Sequence, residues 1–194
     1  INNINFLQGD LLDTPKLNIM FDVIHCHGVL NHISDPYTGL KILTKCLKEK
    51  GLIFLSLYSK IARKDLLDLR EHFLRKYKII DNETLNEIRS EILNNKNLKK
   101  SVLLNSVEFY NKNEFKDLLL HPQEYCFTLD EIENFIFKLN LKFCGFIGLQ
   151  NEKNKFLDLH GRNGQLLNLK LWKQFENHNT KTFLGMYHFC LQKI

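Results

Sequence analysis

Apolar and polar positions change period several times along the first third of the chain. Residues 4–7 form a short apolar run closed by Gln8-Gly9-Asp10, and residues 21–26 form a second; both read as strands. Asp35 and Pro36 then supply an N-cap and a first-turn proline. Leu40, Leu43 and Leu47 follow at helical spacing, Lys48 and Lys50 suit the helix C-terminus, and Gly51 can take the left-handed stop position. Residues 52–58 are nearly all apolar. A strand without polar alternation is buried on both faces, as in a parallel sheet covered by helices. Strand, strand, helix, strand at these lengths predicts an open α/β sheet.

Beyond residue 59 the sheet signal stops. Leu66, Leu69, Phe73 and Tyr77 make one helical stripe, and Leu85, Ile88 and Ile92 another. Residues 94–100 are polar and basic, a loop or helix end. Thr128-x-x-Glu131 is a capping box, with Ile132, Phe135, Ile136 and Leu139 as the apolar face behind it. Residues 141–149 return to strand, residues 160–165 with two glycines read as a loop, residues 169–175 as a short helix around Trp172, and residues 185–192 as a last strand completing the sheet edge. Trp172 and the aromatic stripe over residues 183–189 read as core. The expected organisation is residues 1–59 as sheet, 60–127 as a helical insertion over the cleft, and 128–194 as a helix and strands completing the sheet.

Composition changes this picture little. The 194 residues are 44% apolar and 25% charged, as in a folded globular domain. No apolar run approaches the roughly 20 residues that cross a bilayer, and no leader-like segment is present, so a cytoplasmic protein without a membrane partner is expected. Twenty-seven Lys and Arg against 22 Asp and Glu give a formal charge of +5, too mild to indicate nucleic acid by itself. Five widely spaced cysteines without a Cys-x-x-Cys pair favour buried thiols over a disulfide framework or a zinc site. The chain starts at Ile1, not Met, and enters a strand-like segment within a few residues, which reads as a fragment whose upstream part is missing.

The chemistry gathers at strand ends. None of the nine glycines forms a Gly-x-Gly-x-x-Gly turn, and no P-loop, Gly-x-Ser-x-Gly elbow or His-Glu-x-x-His is present. In open α/β sheets ligands bind beyond the carboxyl ends of strands. There stand Gly9-Asp10 after the first strand and His27-Gly28-Val29-Leu30 after the second: a carboxylate, a glycine permitting close backbone approach, and an apolar patch. That set suits a flat heteroaromatic ring bearing an exocyclic amine. The alternative is that Asp10 caps a turn and Gly28 merely permits one.

The stretch INFLQGDLLDTP, followed by FDVIHCHGVLNHISDPYTGLKILTKCLKEKGLIFLSLYS, resembles the second half of a class I S-adenosylmethionine-dependent methyltransferase domain. DLLLHPQEYCFTLDEI and WKQFENHNTKTFLGMYHF further resemble a bacterial subgroup often attached to tetratricopeptide (TPR) repeats. The resemblance implies a Rossmann-like methyltransferase sheet, N-terminally truncated, with S-adenosyl-L-methionine as cofactor. It implies that Asp10 bonds the adenine amine with Gly9 and Leu11 beside it, that His27, Gly28 and Val29 line the methionine side, and that His32 stands at the pocket mouth. The glycine-rich first loop and the acid for the ribose hydroxyls would precede Ile1. The implied reaction moves a methyl group to an unknown nitrogen or oxygen acceptor, small molecule or protein, with TPR repeats upstream.

His25 and His27 share one face of a strand near His32, but a metal site needs three or four ligands in set geometry, so no metal is expected. His121-Pro122-Gln123-Glu124 places imidazole, amide and carboxylate on a stiffened backbone. His121 and Glu124 are candidates for accepting a proton and Gln123 for gripping substrate; the alternative is a polar turn. Tyr58, and Ser59 beside it, could face the same cleft, or packing and solvent. The basic residues from Lys60 to Lys78 are interspersed with Asp65, Asp68 and Glu71, which favours a solvated face over an RNA-binding stripe. A non-catalytic binding module and an RNA methyltransferase stay open as alternatives.

Overall fold

The computed structural model describes residues 3–96, 98, 104, 106–161 and 165–194. Four strands form one sheet: β1 (Phe21–His27), β2 (Leu47–Leu57), β3 (Leu141–Phe146) and β4 (Tyr187–Lys193). Their order is β1-β2-β4-β3. β1 and β2 are parallel, and β4 runs antiparallel to both β2 and β3. The fold is α/β, and its last strand returns into the sheet. It does not complete the edge expected of it: Tyr187, Phe189 and Leu191 are at most 1% exposed, and a strand so apolar gains by pairing on both sides.

Helix α1 (Pro36–Lys45) starts where the sequence places it. The Asp35 carboxylate accepts from the Thr38 amide at 3.1 Å, with Pro36 in the first turn. It ends earlier than the Leu47 spacing suggests, because the Phe21 amide donates to the Cys46 carbonyl at 2.9 Å and draws the chain into the sheet. The left-handed residue is Lys50 (φ 62°), not Gly51. Gly51 is needed for space: a Cβ there would stand 2.8 Å from the Lys48 carbonyl and 3.0 Å from that of Asp22.

Residues 4–7 form no strand. Ile4, Phe6 and Leu7 are exposed, Phe6 by 92%, and β1, the edge strand, exposes Val23. With nothing paired to that edge among the described residues, an apolar segment has no ladder to join. Asp10 caps a short 3-10 turn, Leu11–Leu17, its carboxylate accepting from the Leu12 amide at 2.8 Å.

Between β2 and the next sheet helix stand α2 (Lys64–Lys76), α3 (Asn82–Asn94) and α4 (Lys112–Leu120). Their stripes pack on one another, with Phe73, Ile88, Ile92, Phe109, Phe115 and Leu119 fully buried. The two ends of this segment meet: the Phe127 amide donates to the Tyr58 carbonyl at 2.7 Å and the Lys60 amide to Phe127 at 2.8 Å. The polar stretch 94–100 lies partly outside the described residues.

Helix α5 (Leu129–Lys138) carries the expected capping box between Thr128 and Glu131. Helix α6 (Gln150–His160) was not legible: it buries Phe156 alone and has no side-chain cap. The two-glycine loop after it lies partly outside the described residues. Helix α7 (Leu169–His178) presents Trp172 and Phe175 to the sheet. Cys26, Cys46 and Cys190 are buried, whereas Cys144 is exposed, contrary to expectation. Among the described residues no helix is long and apolar enough to cross a membrane.

Candidate functional site

A cavity of about 840 Å³ opens between the strand ends and the helical insertion. The sheet supplies His27, Tyr58 and His188, the segment before β4 supplies Gly185 and Met186, and α2 and α4 supply Leu66, Leu69 and Asp117. Register places the floor. His27 stands opposite Ser56, and Ser56 opposite His188, so the three side chains share one face. The Ser56 hydroxyl bridges Nδ1 of His27 and Nδ1 of His188, the latter at 2.8 Å. Gly28, next after β1, takes φ 69° and donates its amide to the Ser56 carbonyl at 3.1 Å, a conformation that favours glycine.

The mouth is tied together by Asn31. Fully buried, it donates its side-chain amide to the Tyr125 carbonyl at 2.9 Å and accepts the Tyr125 amide on its own carbonyl at 2.7 Å. This docks the 121–125 segment against the turn after β1. As a result His32 Nδ1 lies 3.0 Å from the Gln123 carbonyl, and the His32 and His121 rings stand 4.1 Å apart. His121 Nδ1 in turn accepts the Gln123 amide at 3.2 Å, which puts the proton of the neutral ring on Nε2.

Glu124 is 2% exposed and holds two guanidiniums, Arg63 at 3.2 Å and Arg70 at 3.1 Å. Arg70 also donates to the carbonyls of Leu118 and Leu119, and the Arg63 guanidinium lies 3.8 Å over the Tyr58 ring. One carboxylate thus joins α2, the end of β2 and the segment after α4. Burial raises the Tyr58 hydroxyl above its ordinary range, partly offset by Arg63. Burial, aided by Glu124, pushes the Cys126 thiol up to about 12, so it stays protonated.

Of the residues singled out in the sequence, His27, His32, Tyr58 and Glu124 line the cavity, with His121, Gln123 and Gly28 next to them. Gly9, Asp10, Leu11 and Val29 do not line it; Gly9 and Asp10 are exposed, and Leu11 packs on the main core. Sequence reasoning missed Ser56, Arg63 and His188. The signal for Ser56 was a lone polar residue within an apolar strand; His188 was hidden in an aromatic stripe. Among the described residues no group of three or more potential metal ligands gathers.

A family model described as a methyltransferase domain matches residues 1–119, more than half the chain. The chain belongs to that family. This methyltransferase domain is 29% identical over 152 residues to an uncharacterized protein of Synechococcus, covering 75% of the chain and 36% of that protein. A stretch of 52 residues, 25% of the chain, is 49% identical to tRNA U34 carboxymethyltransferase of Campylobacter lari, of which it covers 18%. Among solved structures, PKMT2 from Rickettsia typhi in complex with AdoHcy matches with a TM-score of 0.63 at 16% identity, over 100% of this chain and 39% of that one. The shared fold is the Rossmann-like methyltransferase sheet. The methyltransferase domain therefore spans little more than a third of the length of the Synechococcus and Rickettsia proteins.

Proposed function

We propose that the chain is part of an S-adenosylmethionine-dependent methyltransferase acting on a nitrogen or oxygen nucleophile held between the strand ends and the insertion. The observation that carries this is the turn at Gly28. Its left-handed backbone, at the carboxyl end of a parallel strand, borders a cavity roomy enough for a nucleoside-sized donor and an acceptor.

The residues present fit one side of such a donor. Gly28 leaves its rim clear, with Met186 the nearest side chain to an added Cβ, at 3.5 Å. His27 and His32, in the cavity wall, and Val29 next to them would face the methionine side, and Asp10, outside the cavity and flanked by Gly9 and Leu11, would accept from the adenine amine beyond its rim. The glycine-rich turn and the ribose-binding acid would come from residues preceding this chain. The exposed edge of β1 and the small share of the relatives' length support that part of the reading, as does AdoHcy in the Rickettsia neighbour. An attached TPR array belongs to the same proposal.

When bound, S-adenosylmethionine supplies a methyl group on a positively charged sulfur, whose transfer is an in-line displacement governed by positioning. Tyr58 and Gln123 would orient the acceptor and His121 would contact it. Glu124, with its oxygens occupied by two arginines, would act as a positioning residue. The cavity wall carries Asp65, Glu108, Glu114 and Asp117, against Arg63 and Lys181. That balance favours a neutral or cationic acceptor. An RNA acceptor, the reading prompted by the Campylobacter relative, would bring phosphate towards those acids.

Calorimetry with S-adenosylhomocysteine on the full-length protein tests this. Asp10→Ala is expected to weaken binding about tenfold or more, the cost of one charged hydrogen bond. Unchanged affinity removes Asp10 from the site, and no binding by the native protein leaves a non-catalytic module.

A further inference from the structure

The floor of the cavity carries a proton arrangement that follows from counting. Ser56 is 5% exposed, and its hydroxyl contacts Nδ1 of both His27 and His188. The two imidazoles lie nearly parallel, 11° apart, with centroids separated by 5.2 Å, and both line the cavity. Among the described residues neither ring has a further hydrogen-bond partner.

A serine hydroxyl has one proton to give. It donates to one Nδ1, so the other Nδ1 must carry a proton and donate to the serine oxygen. The neutral unit therefore holds one ring protonated at Nδ1 with a bare Nε2, and one ring of the opposite tautomer. Exchanging the two takes rotation of the hydroxyl together with a change of tautomer in both rings. One added proton binds the bare Nε2 with both bonds to Ser56 intact. A second would put N–H on both Nδ1 atoms, leave the serine proton without an acceptor, and stack two cations. The unit takes up one proton readily and resists another.

We propose that His27, Ser56 and His188 form a single proton-accepting unit, which takes the proton that an acceptor N–H or O–H sheds as it is methylated. The proposal rests on the methyl-transfer reading above. In that step the acceptor's lone pair forms the bond to the methyl carbon, and the carbon–sulfur bond of the sulfonium donor breaks with its electron pair going to sulfur. The acceptor's proton passes to the bare imidazole Nε2 and later to water.

Burial, and then the neighbouring His27, hold His188 below the ordinary histidine range, which keeps it a neutral base near pH 7. Other ionisable groups face the same space. Lys181, before β4, and Arg63 oppose a gained proton. Asp65 on α2, Glu114 and Asp117 on α4, and Glu108 favour it, and Glu124 is occupied by its arginines; His32 and Tyr58 stand at the mouth.

Long-range proton–nitrogen NMR of the 15N-labelled chain, titrated between about pH 4.5 and 8.5, reads tautomers and charge directly. The expected result is two coupled steps for His27 and His188, separated by about one pH unit or more, with opposite tautomers above the first. Ser56→Ala is expected to abolish the tautomer bias and bring the steps together. His188→Gln, should the alanine variant not fold, is expected to leave His27 titrating in one uncoupled step. Independent titration in the native chain, or coupling that survives either variant, overturns the unit. S-adenosylhomocysteine binding by the full-length protein reads the methyltransferase role separately. Coupled steps without binding overturn the role in methyl transfer, and binding without coupling overturns the unit alone.

Discussion

At Glu124 two buried guanidiniums meet one carboxylate, and what matters is what remains when one partner goes. Replacing Glu124 by Ala strands Arg63 and Arg70, 11% and 13% exposed, without a counter-charge. The expected loss is about 3–5 kcal/mol, read as a fall in the urea midpoint; a change under about 1 kcal/mol would show that the arginines find solvent. Glu176 behaves in the opposite sense. It is fully buried with no cation paired to it among the described residues, accepting from Ser59 at 2.6 Å and from Tyr187 at 2.7 Å. Burial raises its carboxyl group above the ordinary range, against the pull of those hydrogen bonds. A raised acid favours the fold while protonated. Its contribution is therefore present below the unfolded value of about 4.3 and is lost as pH rises through the folded value. Glu176→Gln, with no proton to lose, is expected to flatten that decline, so its stability relative to the native chain rises as pH climbs above the unfolded value of about 4.3. A pH-independent difference would refute the assignment.

At the scale of elements, α1 ends at Lys45 on a right-handed Cys46, and the left-handed residue comes later, inside β2, one position before the glycine. Lys50 takes the left-handed turn, while Gly51 lies against backbone carbonyls that cannot retreat as a side chain could. Gly51→Ala is expected to destabilise by about 1–3 kcal/mol through overpacking, measured by thermal or urea unfolding; a neutral result would mean that the two carbonyls shift freely. The starts of α1 and α5 were readable because Asp35 and Thr128 act locally, on amides three residues on. Helix α6 follows a left-handed Leu149 that supplies no side-chain cap, and its one buried residue gives no stripe to detect.

For the whole molecule, the division of the core decides how it opens. The sheet and its helices share one apolar cluster, while α2, α3 and α4 share another. They are linked at Ser59–Phe127, at Asn31–Tyr125 and through Glu124. A small core bounded by such joints is expected to open without the rest. Hydrogen exchange should show amides of α2–α4 less protected than those of β2 and β4, the two interior strands; equal protection would mean one cooperative unit.

The sequence by itself determined β1, β2 and β4, the capped helices and the helical stripes over residues 66–92, since each depends on short-range periodicity or on a cap a few residues from its target. It also placed His27, Tyr58 and Glu124 near strand ends and turns where ligands gather. Only the tertiary structure decided what these residues meet. Ser56 and His188 are 132 positions apart and become neighbours through antiparallel register, and Arg63 and Glu124 through the return of the insertion to its starting point. Likewise, residues 4–7 have the composition of a strand, but pairing requires a partner edge, and composition carries no information about that.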